Sequence, residues 1–534
     1  MPAPMLENPI LPGFNPDPSI CRVGDDFYIA TSTFEWFPGV QIHHSRDLKH
    51  WRLVARPLNR PDLLNMLGEP DSCGVWAPCL THANGRFYLL YTDVKRFDGN
   101  FKDTHNYLTS CATIDGDWDS PTYLNAQGFD PSLFHDDDGR TWVLNMVWDH
   151  RPDRSFFRGI TLQEYSIPEG RLFGDVELIF DGTELDCTEG PHLYRFDDTY
   201  YLITAEGGTG YGHAVTMARS KSIHGPYEVD PAGPIVTAKD DPDWPLQRSG
   251  HADLVELEDG RFLLVHLASR PLPGTRRSPM GRESAIQELV RSEDGWFRLP
   301  DGDPRPRLEI RGVDAPPTPA SSGFVDTDFD GPDLDHRFQW LRSPWPDELF
   351  SLTARPGHLR LFGRESIGSW YRQALVACRQ TLFDFEIETT LDFEPASFQH
   401  LAGLTCYYNA SKFHYLYVSW DPKLGKHLGM MSCGGRADLV LDYPAWDDRV
   451  TLPVGEPVRL LASVRGAELQ FAFAVGDSPA QPFGPRLDYS VLCDEAGKGE
   501  GANFTGTFLG VCCQDLTGQQ HPADFDRFSY RSGA

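Results

Sequence analysis

Residues 13–37 read GFNPDPSICRVGDDFYIATSTFEWF. A Pro-punctuated entry leads into a short apolar strand, a Gly-Asp-Asp turn, and a second strand rich in aromatic and β-branched residues. The same order returns along the chain. Trp76, Ala77, Pro78, Cys79 and Leu80 lead to a turn at Asn84 and Gly85, then to Phe87–Tyr91. Asp130–Leu133 lead to Asp138 and Gly139, then to Trp142–Leu144. Glu189–Leu193 lead to Asp197 and Asp198, then to Tyr200–Ile203. His251–Leu254 lead to Asp259 and Gly260, then to Phe262–Val265. Aligned on Asp17, the register falls at 17, 77, 130, 190 and 251, with spacings of 60, 53, 60 and 61.

Five hairpins at a near-constant period predict an all-β fold beginning with a five-bladed β-propeller, each opening strand lining the central axis. A β-sandwich or a run of unrelated hairpins is the competing reading. The register matters for chemistry, because equivalent points of five blades converge at one end of the axis. That set contains Asp17, Asp130, Glu189 (one residue before the register point) and His251.

Composition narrows the class. Gly 49 and Pro 43 suit turn-rich β-structure. The net charge of −29 argues against nucleic acid or an anionic membrane as partner and suits a neutral substrate. The 11 cysteines are odd in number and irregularly spaced, so buried reduced thiols are expected. Cys512 and Cys513 would point to opposite faces of one strand. The N-terminal MPAPMLENPILPGF has no basic segment followed by an apolar one, and no apolar run approaches the roughly 20 residues of a membrane span. A soluble cytoplasmic enzyme is the expectation.

The propeller is read over 1–311, a Pro/Ala/Ser linker over 312–323, and a new module over 324–534. In that module, runs such as Phe385–Thr389 and Phe413–Val418 alternate with period two and imply a β-sandwich. Asp326 and Asp328 near its start, and Asp524 and Asp526 near its end, could meet on adjacent strands and hold calcium; solvated surface acids are the alternative. No HExxH or paired histidine spacing indicates zinc. The GGTGYG of residues 207–212 follows a strand but opens no helix, so it reads as a tight turn rather than a dinucleotide loop.

Glycosidic hydrolysis needs an acid for the leaving oxygen and a base for water. Asp17 would stay ionised and activate water. Glu189 would hold a proton for the departing oxygen. Asp130 is a third anion that would raise the pKa of Glu189. Arg282 could fix substrate hydroxyls or serve a structural ion pair. His251 would lie below the carboxylates and bind a water or an ion, or be a satisfied core histidine. Phe34, Trp36 and Trp76 sit where strands meet loops, placed to cover the apolar face of a sugar or to fill a core.

The chain resembles the β-xylosidases of glycoside hydrolase family 43. The motifs carrying the resemblance are Asn15–Ser19, Thr33–Val40, Trp76–Pro78, Phe129–Phe134, Thr188–His192 and Gly281–Glu283, with Ala402–Tyr408 and Phe504–Gly506 in the second module. The resemblance implies a propeller joined to a concanavalin-like β-sandwich, no required cofactor, and an inverting mechanism with Asp17 as base, Glu189 as acid and Asp130 as pKa modulator. It also implies that Phe34, Trp76 and Arg282 line a short pocket closed by Phe504 from the sandwich. The substrate class so implied is a β-1,4-xylooligosaccharide trimmed one xylose at a time from its non-reducing end. Activity on α-L-arabinofuranosides, and a dimeric or tetrameric homo-oligomer, are left open. Two departures stand out: Cys79 where such sequences commonly carry Asp, and a short loop over Pro271–Met280. Rival readings are a primary α-L-arabinofuranosidase or arabinanase, and a non-catalytic carbohydrate-binding propeller.

Overall fold

The computed structural model describes residues 4–318, 323–435, 448–497, 499 and 501–533. Residues 1–3, the predicted linker's residues 319–322, and residue 534 lie outside them.

Five antiparallel sheets follow one another, four of them four-stranded and one five-stranded. Their innermost strands are Ser19–Val23, Gly74–Ala83, Ser132–His135, Glu189–Phe196 and Gln247–Glu256, here blades I to V. Each inner strand packs beside the next, and the last returns to the first. Asp253 of blade V closes the ring by accepting from the Ser19 hydroxyl at 2.7 Å and the Ile20 amide at 2.8 Å. The N-terminal segment straps this closure: Met5–Glu7 pairs with Glu309–Arg311, and Leu11 bridges Ser284.

The repeat seen in the sequence has a backbone cause. The five register residues all adopt positive φ: Asp17 at 52°, Ala77 at 36°, Asp130 at 55°, Gly190 at 55° and His251 at 43°. Pairing with the next strand slips around this point in blades II, IV and V. Such a bulge re-aims the side chains on either side of it. Here they turn towards the axis.

The second module consists of two eight-stranded sheets facing each other. Alternating residues supply its core: Ala374, Val376, Leu404 and Cys513 face inward between the sheets. Their neighbours Leu375, Ala377, Tyr407 and Cys512 face the propeller. Cys512 and Cys513 therefore do point to opposite faces. All 11 cysteines are free thiols, and only Cys187 is not buried.

The sandwich borrows a strand from the propeller. Trp36–Phe37 pairs with Phe338–Leu341 and forms the edge of one sandwich sheet. Trp36 is 0% exposed and stacks on Phe508 with ring centroids 3.6 Å apart. It is therefore a tenon between the two modules, not a sugar platform.

The proposed calcium acids do not converge. Antiparallel register sets Asp326 opposite Ser529, away from Asp524. Asp326 is paired with Arg527, and Asp524 with Arg355 and Arg360. Asp328 and Asp526 are exposed. Among the described residues, no three His, Cys, Asp or Glu side chains gather as a metal site.

Candidate active site

At one end of the propeller axis lies a cavity of about 320 Å³, lined by Asp17, Asp130 and Glu189 with Phe34, Trp76, His251, Arg282 and Phe504. Apart from Trp36, every candidate site residue named from the propeller reaches this one space, and Phe504 enters it from the sandwich.

Asp17 is held from three sides. Its Oδ2 accepts from the Ser32 hydroxyl at 2.7 Å, and its Oδ1 lies 3.2 Å from Arg282 Nη1. His251 Nδ1 stands 3.9 Å from the same oxygen. Burial acts to raise the pKa of Asp17, but Arg282, His251 and Ser32 outweigh it and hold the carboxyl below its ordinary value. Burial drives His251 itself down to about 4, so at neutral pH the guanidinium and the hydroxyl do this work.

Glu189 is in the opposite situation. Burial, then the charges of Asp130 and Asp17, push its pKa well above the usual carboxylate range, against weaker opposition from Arg282 and Lys102. Asp130 is raised as well, by burial and by Asp17, though the Gly190 amide donates to its Oδ2 at 3.0 Å. The left-handed turn at Gly190 makes that bond and also brings the His251 ring close: a Cβ there would sit 3.0 Å from it. One small cavity therefore holds an ionised carboxylate and a carboxylic acid, separated by environment.

Arg282 does more than pair with Asp17. It donates to Thr209 Oγ1 at 3.1 Å and to the Phe504 carbonyl at 2.9 Å, and its guanidinium lies 5.2 Å from the Phe34 ring centroid. It pins the sandwich loop over the pocket. Gly281, at φ 69°, allows this approach, since a Cβ there would meet the Thr505 carbonyl at 2.3 Å. The Pro271–Met280 loop contributes through contacts within the chain: Arg277 donates to Ser490 Oγ at 2.7 Å and Ser278 N to Glu495 Oε2 at 3.2 Å.

An aromatic wall faces the carboxylates. Trp76 is the hub, with ring centroids 5.7 Å from Phe34, 5.5 Å from Phe129 and 5.5 Å from Phe504. Its indole N–H donates to the Ser72 carbonyl at 2.9 Å, which fixes the ring.

Sequence reasoning missed several lining residues. Lys102, 4.1 Å from the Trp148 ring centroid, brings a cation near Glu189. Thr209 lies in the glycine-rich turn at 207–212 and His213 directly follows it; the turn's position just after an inner hairpin was the available signal. His213 Nδ1 donates to the Arg248 carbonyl at 3.1 Å, and burial keeps the ring neutral with a pKa of about 3. Its Nε2 is sealed from solvent with no hydrogen-bond partner. Cys79 proves irrelevant to the pocket: it packs between blades II and III against Leu90, Leu108 and Leu133.

Comparison with known proteins places these features in context. The description "Glycosyl hydrolases family 43" matches residues 6–297, and "Beta xylosidase C-terminal Concanavalin A-like domain" matches residues 326–531. Xylosidase/arabinosidase 43B of Humicola insolens is 52% identical, covering 99% of this chain and 98% of its own. The beta-xylosidase of Bacillus subtilis (strain 168) is 46% identical over 98% of this chain and 99% of its own. The crystal structure of xylan beta-1,4-xylosidase from Bacillus halodurans C-125 superposes with a TM-score of 0.95 at 49% identity, covering 99% of this chain and 100% of that one.

Proposed function

The chain belongs to the glycosyl hydrolases of family 43, and on that premise we propose that it is an exo-acting β-xylosidase. It would release D-xylose from the non-reducing end of β-1,4-xylooligosaccharides by single displacement with inversion. Asp17 acts as general base on water and Glu189 as general acid on the leaving oxygen. The observation that supports this most is the opposite pKa displacement of Asp17 and Glu189 within one cavity. Burial is the main force keeping Glu189 protonated; the charge of Asp17 adds to it, and Asp130, itself raised by burial and Asp17, adds to it when ionised. Phe34, Trp76 and Phe504 cover the apolar face of the sugar, and Arg282 takes its hydroxyls. Phe504 closes the far end, which favours removal of a terminal residue over cleavage within a chain.

A second activity, on α-L-arabinofuranosides, is favoured by the name of the 52%-identical relative. Rates on paired aryl β-D-xyloside and aryl α-L-arabinofuranoside decide which is primary. Proton NMR of the xylose first released from an aryl β-D-xyloside, whose leaving group carries no anomeric proton, tests the mechanism. Inversion requires α-xylose to appear first; β-xylose appearing first would refute it. Binding without turnover by the wild-type chain would support a non-catalytic role instead.

A further inference from the structure

A second cavity, of about 270 Å³, opens in the seam between propeller and sandwich and shares only the neighbourhood of Asn15 with the Asp17 loop. Its wall carries Lys49, Arg56, Arg337 and Arg379 with His43, His50 and His336, and among the described residues no Asp or Glu lines it. In a chain of net charge −29 this is an unusual local concentration of cations.

Arg337 has a counter-charge in Asp335. Among the described residues Arg56 and Arg379 form no ion pair with a carboxylate, although the charge of Asp335 acts on Arg56 from farther off. Arg56 donates to the Phe338 carbonyl at 3.1 Å and to Gln41 Oε1 at 2.8 Å. Arg379 donates to the Phe14 carbonyl at 2.7 Å and to the same Gln41 oxygen at 3.0 Å. These partners are neutral. Arg56 Nε, Arg379 Nη2 and His43 Nδ1 are sealed from solvent with no hydrogen-bond partner. A guanidinium does not shed its proton in proteins, so two adjacent half-buried forks without a paired anion are costly. Burial pulls the pKa of Arg56 down to about 9 against the opposing charge of Asp335, and burial and then Arg56 pull that of Arg379 well below its ordinary value.

We propose that this seam cavity is a binding site for a small free oxyanion of the phosphate or sulfate class, held by Arg56 and Arg379 with Lys49 contributing. Planar forks with several N–H donors match oxyanions in a way that a monatomic ion cannot exploit. The bound anion neutralises the pair and fixes both modules. Gln41, the shared acceptor of both arginines, is itself fixed by donating to Asn15 Oδ1 at 3.2 Å.

Isothermal titration of inorganic phosphate into the full chain, in chloride buffer of constant ionic strength, tests this. A saturable heat with one site per chain is expected, with sulfate competing. The thermal midpoint should rise with phosphate along the same saturation curve, whereas general salt exclusion gives a rise without saturation. Arg56→Gln should abolish the heat and the saturable rise while leaving hydrolysis of an aryl glycoside within about twofold. Lys49 is exposed, so Lys49→Ala is certain to be tolerated by the core and should weaken binding several-fold. Absence of saturable heat in the wild-type chain, or unchanged affinity in both variants, would overturn the proposal.

Discussion

Ser32→Ala should move the acid limb of the pH–rate profile upward by about one pH unit. Ser32 Oγ donates to Asp17 Oδ2 at 2.7 Å and accepts the Ala77 amide at 2.7 Å. A hydrogen bond to an ionised group contributes ~1.5–3 kcal/mol, and one pKa unit corresponds to about 1.4 kcal/mol. Full loss would raise the Asp17 pKa by about 1–2 units. Water entering the released space returns part of this, so the lower end is expected. The sign follows from the role: a base must be ionised, so activity falls as pH drops through its pKa. Arg282 still holds Asp17 Oδ1, which keeps the carboxylate from losing its depression altogether. The assay is kcat/KM against pH on a xyloside with an activated aryl leaving group, which needs little help from Glu189. An acid limb unmoved in a correctly folded Ser32→Ala protein would mean that Asp17 does not set it, and the base assignment would fall.

Glu189→Ala should slow xylobiose hydrolysis by about 10²–10⁴ while sparing much of the rate on an activated aryl xyloside; equal losses on both substrates would contradict the acid role. Lys102→Met removes a cation that lowers the Glu189 pKa, so the basic limb, where the acid loses its proton, should move to higher pH in the same profile. Trp36→Ala should cost about 3–5 kcal/mol in urea unfolding, because the indole is wholly buried against Phe508; a loss under about 1 kcal/mol would show that the seam does not depend on it.

Much of this was legible because the two periodicities are strong. A hairpin repeat near 60 residues leaves little but a ring of blades, and strict alternation in the second half leaves little but facing sheets. The carboxylates were legible for the same reason, since register alone brought Asp17, Asp130 and Glu189 together. Residues outside the register were not. Thr209 and His213 reach the cavity by a glycine turn, and Lys102 by a strand margin, and neither carries a periodic signal. Trp36 stayed between two readings because an aromatic residue at a strand end looks alike whether it meets a sugar or another module. Only the pairing of Trp36–Phe37 with Phe338–Leu341 distinguishes the two. The acidic pairs failed as a calcium site because proximity in the fold depends on strand register, which sent Asp326 to Ser529, and because arginines reached them first.

The positive φ shared by the five register residues connects these observations. Only one of the five is glycine, so the other four hold a conformation that ordinary side chains seldom adopt. Each such residue costs roughly 1–3 kcal/mol and persists only where surrounding structure enforces it. In blades I and III the strained residue is itself a pocket carboxylate; in blade IV it is the glycine that follows one and that donates to Asp130. In blade II it is Ala77, which has no functional group but whose amide orients Ser32 and through it Asp17. In blade V it is His251, within 4.0 Å of Asp130. Strain distributed in this way converts five similar hairpins into one asymmetric site. The fold supplies convergence, and the side chain placed at each turn decides which carboxyl keeps its proton.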